Sequence, residues 1–103
     1  MRKANVYMHG LLAGVLEEIE PGKEYRFRYV KGYDGSSISL TMPKEQNTYT
    51  YDHFPPFFEG LLPEGDMLEG LLYQLKIDKY DFFSQLAAVG GDMVGAVTVE
   101  EAE

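Results

Sequence analysis

Two histidines, four serines, a scatter of glycines and one Asp-Phe-Phe triplet are the residues from which metal, nucleophilic or phosphate chemistry would have to be built. His9 sits before a glycine and His53 before a proline-rich stretch, and neither has a second ligand at the one-turn spacing that holds a metal ion. Ser36, Ser37, Ser39 and Ser84 lie in no G-x-S-x-G elbow, so none is set up as a nucleophile. Gly32, Gly35, Gly90, Gly91 and Gly95 form no phosphate-cradling loop that opens a helix. Asp81-Phe82-Phe83 has phenylalanine where a magnesium-binding Asp-Phe-Gly triplet needs glycine, and no catalytic loop accompanies it. The pairs Glu17-Glu18 and Glu100-Glu101 are adjacent in strand-like segments, so their side chains point to opposite faces and cannot share a proton; both pairs read as solvated charge. Catalytic residues, cofactor and metal are all expected to be absent.

The elements that carry these residues are legible from periodicity. Apolar-rich stretches at 5–9 and 11–19 meet at His9-Gly10, as in a tight β-hairpin. Tyr25, Phe27 and Tyr29 alternate with Arg26 and Arg28, predicting a third strand with one buried face. Ile38, Leu40 and Met42 alternate with Ser37, Ser39 and Thr41 and predict a fourth strand ending at Pro43. Residues 44–52 show no clear period and fit either a loop or a short edge strand. Phe57, Phe58, Leu61 and Leu62, after Pro55-Pro56, predict a short helix ending near Leu62. Pro63 and Glu64 suit the first turn of a second helix whose buried stripe is Leu68, Leu71, Leu72 and Leu75. Asp78 is the expected cap of a third, carrying Phe82, Leu86 and Val89 and stopped by Gly90-Gly91. A buried last strand is expected over 93–99, followed by an acidic fraying tail. Strands first, helices next and one returning strand imply an α+β fold, a mainly antiparallel sheet of about five strands with two to three helices packed on it.

Composition limits the function classes. At 103 residues the chain is expected to form one domain over 1–103. Seventeen acidic against nine basic residues give a net charge of −8, which repels phosphate backbones and anionic lipid, so direct nucleic-acid and membrane binding are not expected. No apolar run is long enough to cross a bilayer, no signal peptide is evident, and cysteine is absent; a cytoplasmic location is the expectation.

The order of short motifs resembles a known family. Phe57-Phe58-Glu59-Gly60-Leu61-Leu62-Pro63-Glu64-Gly65, then Asp81-Phe82-Phe83-Ser84-Gln85-Leu86-Ala87-Ala88-Val89-Gly90-Gly91-Asp92, then Val94-Gly95-Ala96-Val97 are similar to the N-terminal subdomain of HipA-type serine/threonine kinases. Upstream, the segment from Tyr7 to Gly14, the Phe27-x-Tyr29 strand and Ile38-Ser39-Leu40-Thr41-Met42-Pro43 agree, so the likeness covers nearly the whole chain. It implies a non-catalytic subdomain without the kinase's nucleotide site. A free-standing copy resembles the HipS-like component of HipBST-type toxin–antitoxin systems. The implied partners are then a HipT-like kinase toxin, which it inhibits, and a HipB-like DNA-binding protein in a ternary complex. A non-inhibitory assembly subunit and the N-terminal piece of a full kinase are the alternatives; Met1 and the acidic end favour natural termini over a piece.

A protein that neutralises a kinase needs an exposed anchor on a rigid element, and the turn of Pro63, Glu64, Gly65, Asp66 and Met67 is the candidate. Met67 offers an adaptable thioether and Asp66 a charge, while helical spacing alone equally allows Met67 and Leu68 to be helix core. Phe54, Phe57 and Phe58 are either an aromatic docking patch or core, and core is expected for Phe57 or Phe58. Arg26 and Arg28 face away from the strand's buried side, either to meet acidic kinase residues or as an ordinary solvated face.

Overall fold

The computed structural model describes the backbone of residues 1–92 and 95–102. Strands β1 (Arg2–Met8) and β2 (Leu11–Glu20) form the expected hairpin. Its turn places His9 at φ 50° and Gly10 at φ 81°, the left-handed pair that matches strand twist in a two-residue connection. β3 (Glu24–Tyr29) follows, then β4 (Thr48–Tyr51), which settles the open segment as a short edge strand. Helices α1 (Pro56–Glu59), α2 (Gly65–Leu75) and α3 (Phe82–Val89) precede a short 3-10 turn (Gly90–Asp92) and β5 (Val97–Ala102). The fold is α+β: a five-stranded antiparallel sheet in the order β4-β3-β2-β1-β5, with three helices.

One sheet face carries the core. Ala4 and Val6 of β1, Leu16 of β2, Tyr25, Phe27 and Tyr29 of β3, and Val97 and Val99 of β5 are buried there with Phe54, Phe58, Phe83 and Leu86. Aromatic rings meet edge-on or tilted, Phe27 with Tyr29 at 4.9 Å and with Phe58 at 5.8 Å, and Tyr25 with Phe54 at 5.4 Å. Gly14 is required at this packing, since a Cβ there would stand 2.5 Å from the Phe27 ring. Phe54 and Phe58 are therefore core residues and Phe57 is half-buried, which removes the aromatic docking patch.

Several expectations are corrected. The strand at 38–42 does not form: Ile38 and Met42 are buried but Leu40 is fully exposed, and a single bridge joins Ser39 to Met42. The Tyr29 hydroxyl accounts for this, accepting from the Ile38 amide at 3.0 Å and donating to the Met42 carbonyl, so it fastens both ends of a tight loop. α1 ends at Glu59 rather than near Leu62. Pro63 lies outside α2, whose N-cap is Glu64, and α2 has no fully buried residue: Leu68, Leu71 and Leu72 are half-buried and Leu75 is exposed. Asp78 does not cap α3; Asp81 does, accepting from the Ser84 amide at 3.1 Å, while Asp78 accepts from the Tyr80 amide at 2.8 Å. The last strand begins at Val97, and Glu100 and Glu101 lie within it, paired with Asn5 and Ala4, rather than in a fraying tail. Met93 and Val94, the expected start of that strand, lie outside the described residues.

Candidate functional site

The chain from Leu62 to Asp81 is held at its two ends and stands off the sheet between them. At the first end Phe58 and Leu62 are buried, with the Leu61 and Leu62 amides donating to the Phe58 and Glu59 carbonyls at 3.1 Å each. At the second, the buried Gln85 amide donates to the carbonyls of Asp78 and Lys79 at 3.2 and 3.1 Å, and the Asp81 amide donates to Asp78. Both ends of α2 turn through the left-handed region, Gly65 at φ 60° and Lys76 at φ 56°, with the Lys76 amide closing on the Leu72 carbonyl. Glycine adopts that conformation freely and lysine does not, so the C-terminal turn is held by its hydrogen bond at a conformational cost.

All five residues singled out from sequence fall at the start of this segment. Pro63 is half-buried; Glu64, Gly65, Asp66 and Met67 are exposed, Met67 by 77%. The alternative that Met67 is helix core does not hold. Further along, Tyr73 is 90% and Leu75 50% exposed, so α2 presents apolar side chains that its own sheet leaves uncovered. No lysine or arginine occurs between Lys44 and Lys76, while Glu59, Glu64, Asp66 and Glu69 crowd this stretch.

Sequence reasoning missed a charged cluster beneath α3. The Arg2 guanidinium grips the Glu18 carboxylate with two hydrogen bonds of 2.6 and 2.9 Å, and reaches Asp81 at 2.9 Å and the Ser84 hydroxyl at 2.7 Å. It also covers the Phe83 ring at 4.8 Å. Glu18 accepts from the Tyr25 hydroxyl at 3.2 Å. On the other sheet face Glu17 sits between Lys3 (3.8 Å) and Arg26 (2.8 Å), its direct partners across the two neighbouring strands. Glu17 and Glu18 do point to opposite faces, but both are almost fully buried, so the reading of this pair as solvated charge is corrected. Arg26 is taken up by Glu17, and Arg28 stays exposed.

These contacts set the protonation states. The Arg26 hydrogen bond holds the Glu17 carboxyl below the usual carboxylate range despite burial. Burial pushes the Asp81 carboxyl up, but hydrogen bonds from Arg2 and Ser84 outweigh it and leave it low. Asp81 of the Asp-Phe-Phe triplet is therefore a helix cap and an ion-pair partner. The signal for the cluster was present in Asp81-x-x-Ser84, a capping spacing, and in the placement of Arg2 opposite Glu18 once the hairpin register is drawn. Among the described residues no group of three His, Cys, Asp or Glu side chains is placed to hold a metal ion. No helix among them is long and apolar enough to cross a membrane.

Comparison with known proteins gives three concordant matches. The profile described as the HipA N-terminal domain matches residues 4–100. A Haemophilus influenzae protein described as uncharacterized is 34% identical over 101 residues, covering 98% of this chain and 93% of its own length. A solved structure described as the N-terminal domain of HipA toxin superposes with a TM-score of 0.80 at 33% identity, over 100% of this chain and 94% of that one.

Proposed function

The chain belongs to the HipA N-terminal domain family, and from that premise we propose that it is a non-catalytic docking protein that binds a HipT-like kinase toxin in trans and inhibits it as an antitoxin. The observation that carries this reading is the segment of 63–75, anchored at both ends with no fully buried residue in α2 and with Met67, Tyr73 and Leu75 exposed. Large apolar side chains on a rigid element are what interface hot spots are made of. The Haemophilus relative supports action in trans, because this one domain accounts for 93% of its length.

In this role Pro63, Glu64, Gly65, Asp66 and Met67 form the contact turn. Gly65 takes the positive φ that turns the chain into α2, Met67 fills a pocket in the kinase, and Asp66 meets a basic side chain there. The protein works in the cytoplasm as a single domain, with a HipB-like DNA-binding protein completing a ternary complex on the kinase rather than touching this chain's nucleic-acid-repelling surface.

Autophosphorylation by a HipT-like kinase, titrated with the purified chain, tests the reading. Activity is expected to fall to background near one equivalent, and Met67→Ala with Asp66→Ala to weaken inhibition by about 10-fold or more. Co-purification with undiminished kinase activity would make the protein an assembly subunit instead.

A further inference from the structure

Helix α2 carries more apolar surface than its own fold uses. At 100° per residue, Met67, Leu68, Leu71, Leu72 and Leu75 fall within one arc of about 140°. None of the five is fully buried: Met67 and Leu75 are exposed, and Leu68, Leu71 and Leu72 are half-buried. Gly70 lies about 60° outside the arc, with nothing within 4 Å of where its Cβ would be. A glycine inside a helix costs roughly 0.5–1 kcal/mol relative to alanine and fills no space in this fold, whereas it lets another backbone approach closely.

We propose that the whole apolar face of α2, beyond the 63–67 turn, seats as a helix in an apolar groove of the kinase partner whose rim carries lysine and arginine. The inference rests on the docking reading above and adds the chemistry of the receiving surface. Charge selects this occupant. Glu59, Glu64, Asp66 and Glu69 lie along α2 and its approach with no lysine or arginine from residue 45 to 75. A second copy of the chain would bring the same carboxylates to the same place, and an anionic lipid surface would repel them; a basic rim is attracted at long range. The mode is an amphipathic helix read through i, i+4 and i+8 anchors, here Met67, Leu71 and Leu75.

The test is the affinity of the full chain for a purified HipT-like kinase by titration calorimetry. Wild type is compared with Leu71→Glu/Leu75→Glu, Glu59→Lys/Glu69→Lys, Gly70→Trp and, as a control on a distant exposed leucine, Leu40→Glu, each checked by thermal melt. The face substitutions and Gly70→Trp are expected to weaken binding by about 30-fold or more. Glu59→Lys/Glu69→Lys should weaken it by about fivefold and flatten its salt dependence, with Leu40→Glu binding as wild type. Because Gly70 touches nothing, Gly70→Trp keeps the test valid if the leucine variant fails to fold. Wild-type binding that survives Gly70→Trp and the leucine substitutions would overturn the inference and leave the docking reading standing. No binding by wild type would remove both. A wild-type dimer, seen by sedimentation and broken by Gly70→Trp, would give the face to a second copy and overturn the proposal.

Discussion

Glu18 shows how one residue can organise a domain without any catalytic part. Its carboxylate is inside the protein, held by Arg2 from the next strand and by the Tyr25 hydroxyl, and Arg2 passes the connection on to the cap of α3. Glu18→Gln leaves Arg2 half-paired. We expect it to cost about 3 kcal/mol of unfolding free energy in urea, the lower end for breaking a buried pair because Arg2 keeps contact with solvent. Acid sensitivity follows from Glu17 and Asp81, both held below the ordinary carboxylate range. A carboxyl whose folded pKa is depressed contributes stability that is complete above its unfolded value, about 4, and is lost as pH falls through the lower folded value. The denaturant midpoint is therefore expected to be level from about pH 7 to 5 and to drop below about 4, with the drop shallower in Glu17→Gln. Residue types foretold little of this. Two adjacent glutamates look solvated in a linear sequence, and only the register that sets Arg2, Glu18 and Tyr25 in one row, and Lys3, Glu17 and Arg26 in the row behind it, turns them into buried pairs.

At the scale of elements, the contact of α3 with the edge strand rests on one glycine. A Cβ on Gly90 would run into the Val99 carbonyl, whereas Gly91 next to it has open space. Gly90→Ala should lower the melting temperature by several degrees through displacement of β5 or the end of α3, and Gly91→Ala should leave it nearly unchanged; differential scanning calorimetry distinguishes them. The hairpin, β3 and α3 were legible because their periodicity is the imprint of burial on one side. The segment of 38–42 shows where that reasoning fails. Its alternation is real and Ile38 and Met42 are buried, yet the backbone between them is turned by the Tyr29 hydroxyl and by the Ser39 hydroxyl, which accepts from the Thr41 amide at 3.2 Å. A side-chain donor from another strand has no trace in local pattern. β4 was the reverse case: Tyr49 and Tyr51 alternate with Thr48 and Thr50 and pack against the core, but a four-residue edge strand is too short for that period to stand out.

For the molecule as a whole, the helical leucine spacing of α2 was read correctly as amphipathic and wrongly as buried, since periodicity reports an apolar face and not what covers it. The 63–67 turn was legible as an exposed corner, and the structure extends the uncovered surface along the helix to Leu75. The chain belongs to the HipA N-terminal domain family, and an apolar face left partly uncovered is what the proposed docking role requires. An uncovered helix bounded by two left-handed residues has little tertiary packing to protect its amides, so its local opening is expected near the low end of the stability range while β1, β2 and β3 open only with global unfolding. Hydrogen exchange of α2 backbone amides, measured in the free protein and with a HipT-like kinase at saturation, is the most direct test of the docking account. The account predicts rapid exchange alone and strong protection across 66–75 in the complex; equal exchange in both, with the kinase demonstrably bound, would contradict it.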